Sequence, residues 1–211
     1  MSDDRPVVLA FDTSAAHCAA ALLRGETLIT ACHEDMAKGQ AERLMPLLTQ
    51  MLTDAGLAWT DLDALGVGIG PGNFTGVRIS VAAARGLALS LRIPAIGVST
   101  LEAMAYGVPR PVTVALDARR DEAYVQVFDE TGALAPALMP QAQIPGARQI
   151  GSAAQTVPGV TVLSPVLPLA QAIGRIAQDR IDTPQPRPAP PYLRGADAAP
   201  PSDPPPMLID G

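Results

Sequence analysis

The residues most able to do chemistry lie near the start of the chain. Asp12, Thr13 and Ser14 close the apolar run "VVLAFDTS", and His17 follows three positions later. A carboxylate beside two hydroxyls in a tight turn is a set that could hold a phosphate or its metal. The same residue types are favoured in such turns merely for the local hydrogen bonds they make. Ser14 with His17 is the nearest nucleophile–base pair, but no third group is evident to orient the base, which speaks against a hydrolase. With two histidines, two cysteines and no HxxxH or CxxC, the chain offers no metal-ligand pattern. Cys18 and Cys32, on one hairpin, read as a reduced pair.

The second candidate is "GIGPGNFTGVRIS", with glycines at 68, 70, 72 and 76 before an alanine-rich helix. Backbone N–H groups at such a helix start could meet an anion. The loop lacks the Gly-Lys-Ser/Thr of a P-loop and the spacing of a dinucleotide fingerprint. Asn73 and Thr75 are ordinary capping residues. The rival reading is structural, with glycines that let two backbone segments come very close.

Turn residues separate three apolar runs between Val7 and about Glu34, which predicts a strand to Phe11, a turn at 12–16, a strand to Leu23 and a third strand. Leu44, Leu47, Leu48, Met51, Leu52 and Ala55 recur at helical spacing, with Gly56 as the stop. Pro46 makes that helix start late or bend. "LDALGVGIG" and "AIGVS" read as buried strands, and Thr75–Leu91 and Thr100–Tyr106 as helices. On the Thr75–Leu91 helix, Gly76, Ser80, Ala84 and Ala88 form one stripe of small residues, and Ala82, Gly86 and Ser90 another. Such stripes admit a close neighbour, either a partner's helix or the chain's own sheet.

Residues 7–27 lie on 112–132 without a gap, Asp12 falling on Asp117. This fits either two unrelated hairpins or a duplicated lobe. The second turn, Asp117-Ala118-Arg119-Arg120-Asp121-Glu122, carries three carboxylates that are expected to repel a phosphate while the side chains fill the space. The organisation expected is an N-terminal lobe over 1–107, a reduced second lobe over 108–183 and an extended tail over 184–211. Ten of the 22 prolines lie between Pro184 and Pro206. In that tail only "PPYLRGA" is expected to dock.

The chain has 211 residues, 48% hydrophobic but 3% aromatic, and a formal charge of −6. Its core must therefore be aliphatic. The charge and the lack of a basic run argue against nucleic-acid binding by the chain's own field. The acidic start and the absence of a 20-residue apolar run suggest a cytoplasmic protein with no membrane partner.

"GPGNFTGVRIS", "FDTS", "ERLMPLL", "LDARRDEAYVQVF" and "PPYLR" together resemble the TsaB family, bacterial subunits of the machinery that makes threonylcarbamoyladenosine in tRNA. The matching segments cover most of residues 7–132. The resemblance implies an α/β fold with the two-lobed architecture of actin, sugar kinases and heat-shock ATPases. It implies a non-catalytic subunit that pairs with a larger paralogue, TsaD, is joined by the ATPase TsaE, and forms a homodimer when alone. Such a subunit would meet tRNA only within the complex. No cofactor is implied on this chain, ATP or ADP and metal being expected on partners or at the interface. The partner-binding residues implied are Leu44, Leu48, Met51, Gly72, Asn73, Phe74, Thr75, Gly76, Arg78, Ser80, Ala84 and Ala88. Asp12, Thr13, Ser14 and Arg78 would mark a vestigial or shared nucleotide site. Asn73 and Ser80 stand where Ser and Gly are usual, and Gln40-Ala41 where His-Ser is common. The rival reading is a phosphotransferase or an M22-type peptidase of the same fold.

Overall fold

The computed structural model describes residues 5–155, 158–191 and 193. The first hairpin is β1 (Val7–Asp12) and β2 (His17–Arg24), continued by β3 (Thr27–Asp35). Then come α1 (Gln40–Asp54), β4 (Ala64–Gly68), α2 (Phe74–Leu91), β5 (Ala95–Val98) and α3 (Thr100–Ala105). These strands form one sheet in the order β3-β2-β1-β4-β5, antiparallel through β1 to β3 and parallel from β1 to β5. The helix predicted over Ala41–Ala55 begins at Gln40 and runs through Pro46, whose ring is exposed, so the chain does not delay the helix there.

A second sheet repeats the plan. It comprises β6 (Val112–Asp117), β7 (Glu122–Asp129), the broken strand β8 (Gly132–Ala133) and β9 (Ala137–Pro140), then β10 (Arg148–Ile150) and β11 (Thr161–Leu163). β8 and β9 both pair with the outer edge of β7, with Pro136 in the gap between them. β10 runs parallel to β6, and β11 parallel to β10. Strand for strand this is the order of the first sheet, and β6 ends at Asp117 as β1 ends at Asp12. The gapless self-match thus reflects two sheets of one topology. The reduction lies in the connections. Where the first sheet has α1 and α2, the second has a short 3-10 turn at Gln141–Gln143 and a loop after Ile150.

The lobes exchange their last helices. α3 packs on β6 and β7 of the second sheet, while α4 (Leu169–Asp179) packs on β1, β4 and β2 of the first. Arg180 at the end of α4 pairs with Glu102 on α3. β1 is therefore covered twice: Val7, Leu9 and Phe11 face α1 and α2, and Val8 and Ala10 face α4. A strand buried on both faces reads as a continuous apolar run rather than an alternating one. Close layers need small residues. A Cβ on Gly174 would stand 2.3 Å from Leu23, and one on Gly66 would stand 3.0 Å from Ala177. This is how a core with few aromatics reaches native density. α2 is long and apolar enough by composition to cross a membrane. Here Val77, Val81 and Ala84 of that helix pack into the chain's own core.

Beyond the last helix, Pro188 is buried where Gly97 of β5 has no side chain, its Cα 3.5 Å from the position a Cβ would take. Part of the proline-rich segment therefore lies on the body. Tyr192 and Arg194, the centre of the expected docking piece, fall outside the described residues.

Cys18 and Cys32 are both free thiols, Cys18 fully buried. Burial, with Glu34 adding to it, pushes the Cys18 thiol up to about 11. The Arg43 guanidinium, 2.6 and 2.7 Å from Glu34, holds that carboxylate below its ordinary range and ties α1 to β3. A thiol whose folded value is raised favours the folded state fully below its unfolded value near 9, and that contribution is lost as pH climbs to about 11. The wild type should lose about 2–3 kcal/mol across that window relative to Cys18→Ala, at about 1.4 kcal/mol per unit. Denaturant unfolding of both proteins at pH 8 and pH 11 checks this.

Candidate functional site: the first turn, the glycine loop and the cleft between the lobes

The "FDTS" turn and the glycine loop are pressed together. The Asn73 N–H donates to the Ser14 carbonyl at 2.6 Å, and the Thr13 hydroxyl donates to the Gly76 carbonyl at 2.6 Å. A Cβ on Gly76 would stand 1.9 Å from the Thr13 carbonyl oxygen, and one on Gly72 would stand 2.3 Å from that of Ser14. Gly68 faces the Asp12 carboxylate just as closely, its Cβ position 1.9 Å from Oδ2. Three of the four glycines are therefore there because backbone or carboxylate occupies the place of a side chain. Gly70 serves the turn itself, with φ +86.

This contact engages the side-chain hydroxyls of the turn, while Asp12 Oδ2 is buried without a hydrogen-bond partner among the described residues. Asp12, Thr13 and Ser14 are buried. Asp12 Oδ1 accepts from the Ser14 N–H at 2.9 Å and from its hydroxyl at 2.8 Å. His17 Nε2 lies 2.7 Å from the same oxygen. Serine and histidine thus both address the carboxylate instead of each other, which is no nucleophile–base relay. The His17 ring packs on that of His33, which in turn meets Asp35. At the start of α2, Asn73 Oδ1 accepts from the Thr75 and Gly76 N–H groups at 3.1 and 3.0 Å, closing the end where an anion would sit. The Thr13 hydroxyl and both the N–H and the hydroxyl of Ser14 are thus engaged within the chain.

Several residues expected to meet a partner are interior. Gly76, Ser80 and Ala84 point into the chain's own sheet, and the Ser80 hydroxyl donates to the Gly68 and Val77 carbonyls, both at 3.1 Å. Leu44, Leu48 and Met51 lie in the same core, against which Ala88 is half-buried. The reason is rotational. Once Gly76 faces Thr13, the i+4 and i+8 positions must face inward too. Gly72, Asn73, Phe74, Thr75 and Arg78 are exposed, with the Arg78 guanidinium 3.3 Å above the Phe74 ring. The outer face of α2 instead carries Ala82, Gly86, Leu89 and Ser90. Leu89 is 83% exposed and Phe74 60%, and nothing lies within 4 Å of a Cβ on Gly86. The second small-residue stripe was visible in the sequence; Leu89 and Met45 carried no signal of their own.

Between the lobes lies a cavity of about 880 Å³, walled by the first turn, the glycine loop, α3, the second turn and the segment before α4. The second turn does not fill it. Arg119, Arg120 and Asp121 are left-handed, with φ of 62, 55 and 58, at about 1–2 kcal/mol each for residues with a Cβ. That geometry puts Arg119 and Arg120 on the cavity wall, with Asp117 the only carboxylate of the turn to join them. Asp117 Oδ1 accepts from the Arg119 N–H and from Gln141 Nε2, both at 3.1 Å. The expected fence of three carboxylates is corrected to one, Asp117, beside two arginines, because the strained turn carries Asp121 and Glu122 away.

Two sheets of one topology, each led by a hairpin, with a glycine loop sealed on the first turn, define a two-lobed α/β protein. The model of the family described as "TsaD: tRNA N6-adenosine threonylcarbamoyltransferase" matches residues 33–173, and the chain belongs to that family. Among curated proteins it is similar to the tRNA threonylcarbamoyladenosine biosynthesis protein TsaB of Escherichia coli, 42% identical over 132 residues, which are 59% of this chain and 57% of that one. TsaB of Bacillus subtilis is 36% identical over 143 residues, 65% of this chain and 61% of that protein. The matches thus span little more than half the length of these relatives. The solved structure of YeaZ from Pseudomonas aeruginosa superposes with a TM-score of 0.72 at 28% identity, covering 89% of this chain and all of that one.

Three substitutions on α2 separate its inner and outer faces. Gly76→Ala should destabilise the chain by about 2–3 kcal/mol, since a backbone carbonyl cannot yield. Gly86→Ala should stabilise it by about 0.5–1 kcal/mol, as for an exposed helix interior. Ala84→Glu buries an unpaired charge and should cost on the order of 3–5 kcal/mol. Urea denaturation of the isolated chain measures all three.

Proposed function

We propose that this chain is a non-catalytic subunit of the machinery that forms threonylcarbamoyladenosine in tRNA, pairing with the TsaD paralogue. The observation that carries the reading is the outer face of α2. Phe74 and Leu89 stand in solvent on either side of Gly86, where a partner helix can approach the backbone, and Met45 is exposed on the neighbouring α1. Small residues beside exposed bulky apolar ones suit close helix packing, and exposed apolar side chains on one helix face suit an interaction site. The names of the relatives support a role in tRNA threonylcarbamoyladenosine biosynthesis.

The assignment of catalysis to the partner rests on two features. The sequence has no HxxxH, and its two histidines are held by Asp12, by Asp35 and by each other. The hydroxyls of the first turn are spent within the protein. In this reading TsaE joins the pair, nucleotide and metal belong to the partners or the shared boundary, and tRNA is reached through the assembly. Alone, the chain uses the same face to form a homodimer.

Leu89→Asp should abolish co-purification with the TsaD paralogue while the thermal midpoint of the isolated chain stays put. Normal capture of the paralogue by this variant would remove the outer face of α2 from the interface. Equilibrium dialysis against ATP and magnesium tests the catalytic assignment, because tight binding by the chain alone would favour a phosphotransferase.

A further inference from the structure

The cavity between the lobes has the make-up of a small-molecule site, apolar walls with a few polar groups among them. Met104 from α3, Leu116 from β6, and Leu167 and Leu169 at the start of α4 form its apolar side. Its volume, about 880 Å³, lies within the range of such sites. Thr100, also on the wall, is 6% exposed, and its hydroxyl has no hydrogen-bond partner among the described residues. A buried hydroxyl left unpaired forfeits the bond that water gives it in the unfolded chain. It therefore gains from an occupant that offers an acceptor.

The second turn sets the charge. Arg119 lies on the wall, and no ion pair involves it among the described residues. Asp117 beside it is engaged by the Arg119 N–H and by Gln141 Nε2. The charged side chains on the wall are thus Arg119 and Arg120 against Asp117. Two arginines and one carboxylate leave a single net positive charge, enough for one carboxylate and too little for a chain of phosphates. The planar guanidinium fork suits a carboxylate in particular, which it can meet with two parallel hydrogen bonds. The left-handed backbone at Arg119, Arg120 and Asp121 is costly for residues with a Cβ, and geometry of that kind clusters at ligand clamps.

We propose that the cavity binds a small amphipathic monocarboxylate. Its apolar body lies on Met104, Leu116, Leu167 and Leu169, its carboxylate on Arg119, and a carbonyl oxygen along the body accepts from the Thr100 hydroxyl. An N-acyl amino acid carries all three features. Bound there, it touches α3, the second turn and the segment leading into α4 together, and so holds one lobe against the other. This goes beyond the proposed partnership and does not depend on it, since the outer face of α2 lies elsewhere.

The test titrates the full chain, labelled with nitrogen-15, with N-octanoylglycine. Amide signals of Met104, Leu116, Arg119 and Leu167 should shift to saturation, while those of Gly86 and Leu89 on the outer face of α2 stay in place. Octylamine, with an apolar chain and the opposite charge, should leave the same signals unmoved. Arg119→Gln should weaken binding about tenfold or more, as expected for a lost charge-assisted pair. Thr100→Val should weaken it about fivefold, while the thermal midpoint of the unliganded chain holds or rises because an unpaired hydroxyl is gone. Signals that do not saturate, equal binding of octylamine, or wild-type affinity in either variant overturn the proposal. So does a lower midpoint in Thr100→Val, which would show that the hydroxyl already has a partner. Leu89→Asp should bind the probe as the wild type does, so this site and the partnership fail separately.

Discussion

The structure hangs on one close approach, that of the first hairpin turn to the loop that opens α2. Two carbonyl oxygens, of Thr13 and Ser14, sit where side chains of residues 76 and 72 would be, and two short hydrogen bonds lock them there. The contact fixes how α2 is rotated. With Gly76 and Ser80 turned inward, helical geometry leaves Ala82, Gly86 and Leu89 outward. It also engages both hydroxyls of the turn, that of Thr13 with the Gly76 carbonyl and that of Ser14 with the Asp12 carboxylate.

The second lobe shows what remains when the same sheet loses two helices. Its strands keep the order and direction of the first, but Ile144 and Ala153 from loops cover the face that α1 and α2 would have covered. The lobe is not left to stand alone. α3 lies on its other face and α4 returns to the first sheet, so each lobe's core includes a helix that follows the other sheet's logic. Such an exchange keeps the lobes together without a large direct interface. It leaves between them a cavity whose character is set by one turn.

That turn marks the boundary of what chain chemistry alone conveys. Its composition, three carboxylates and two arginines, gives no sign of which side chains face the cleft. Three left-handed residues reverse the expectation by turning the arginines in. Left-handed geometry is rare for residues with a Cβ, and no local preference of Arg, Arg and Asp foretells it.

The elements were legible in the chain's chemistry, and their duplication was one of two readings open there. Continuous apolar runs specified buried strands and the spacing from Leu44 to Leu52 specified α1, whereas the match of 7–27 to 112–132 allowed two sheets of one plan without requiring them. The sequence also displayed both stripes of small residues on α2. Only the tertiary structure decided which stripe met the chain's own sheet and which met solvent. The two are equally small and equally periodic, and the choice was made by a contact sixty-three residues distant in sequence, between Thr13 and Gly76. Periodicity gives a helix its faces; the direction in which each face points is set by what packs against it.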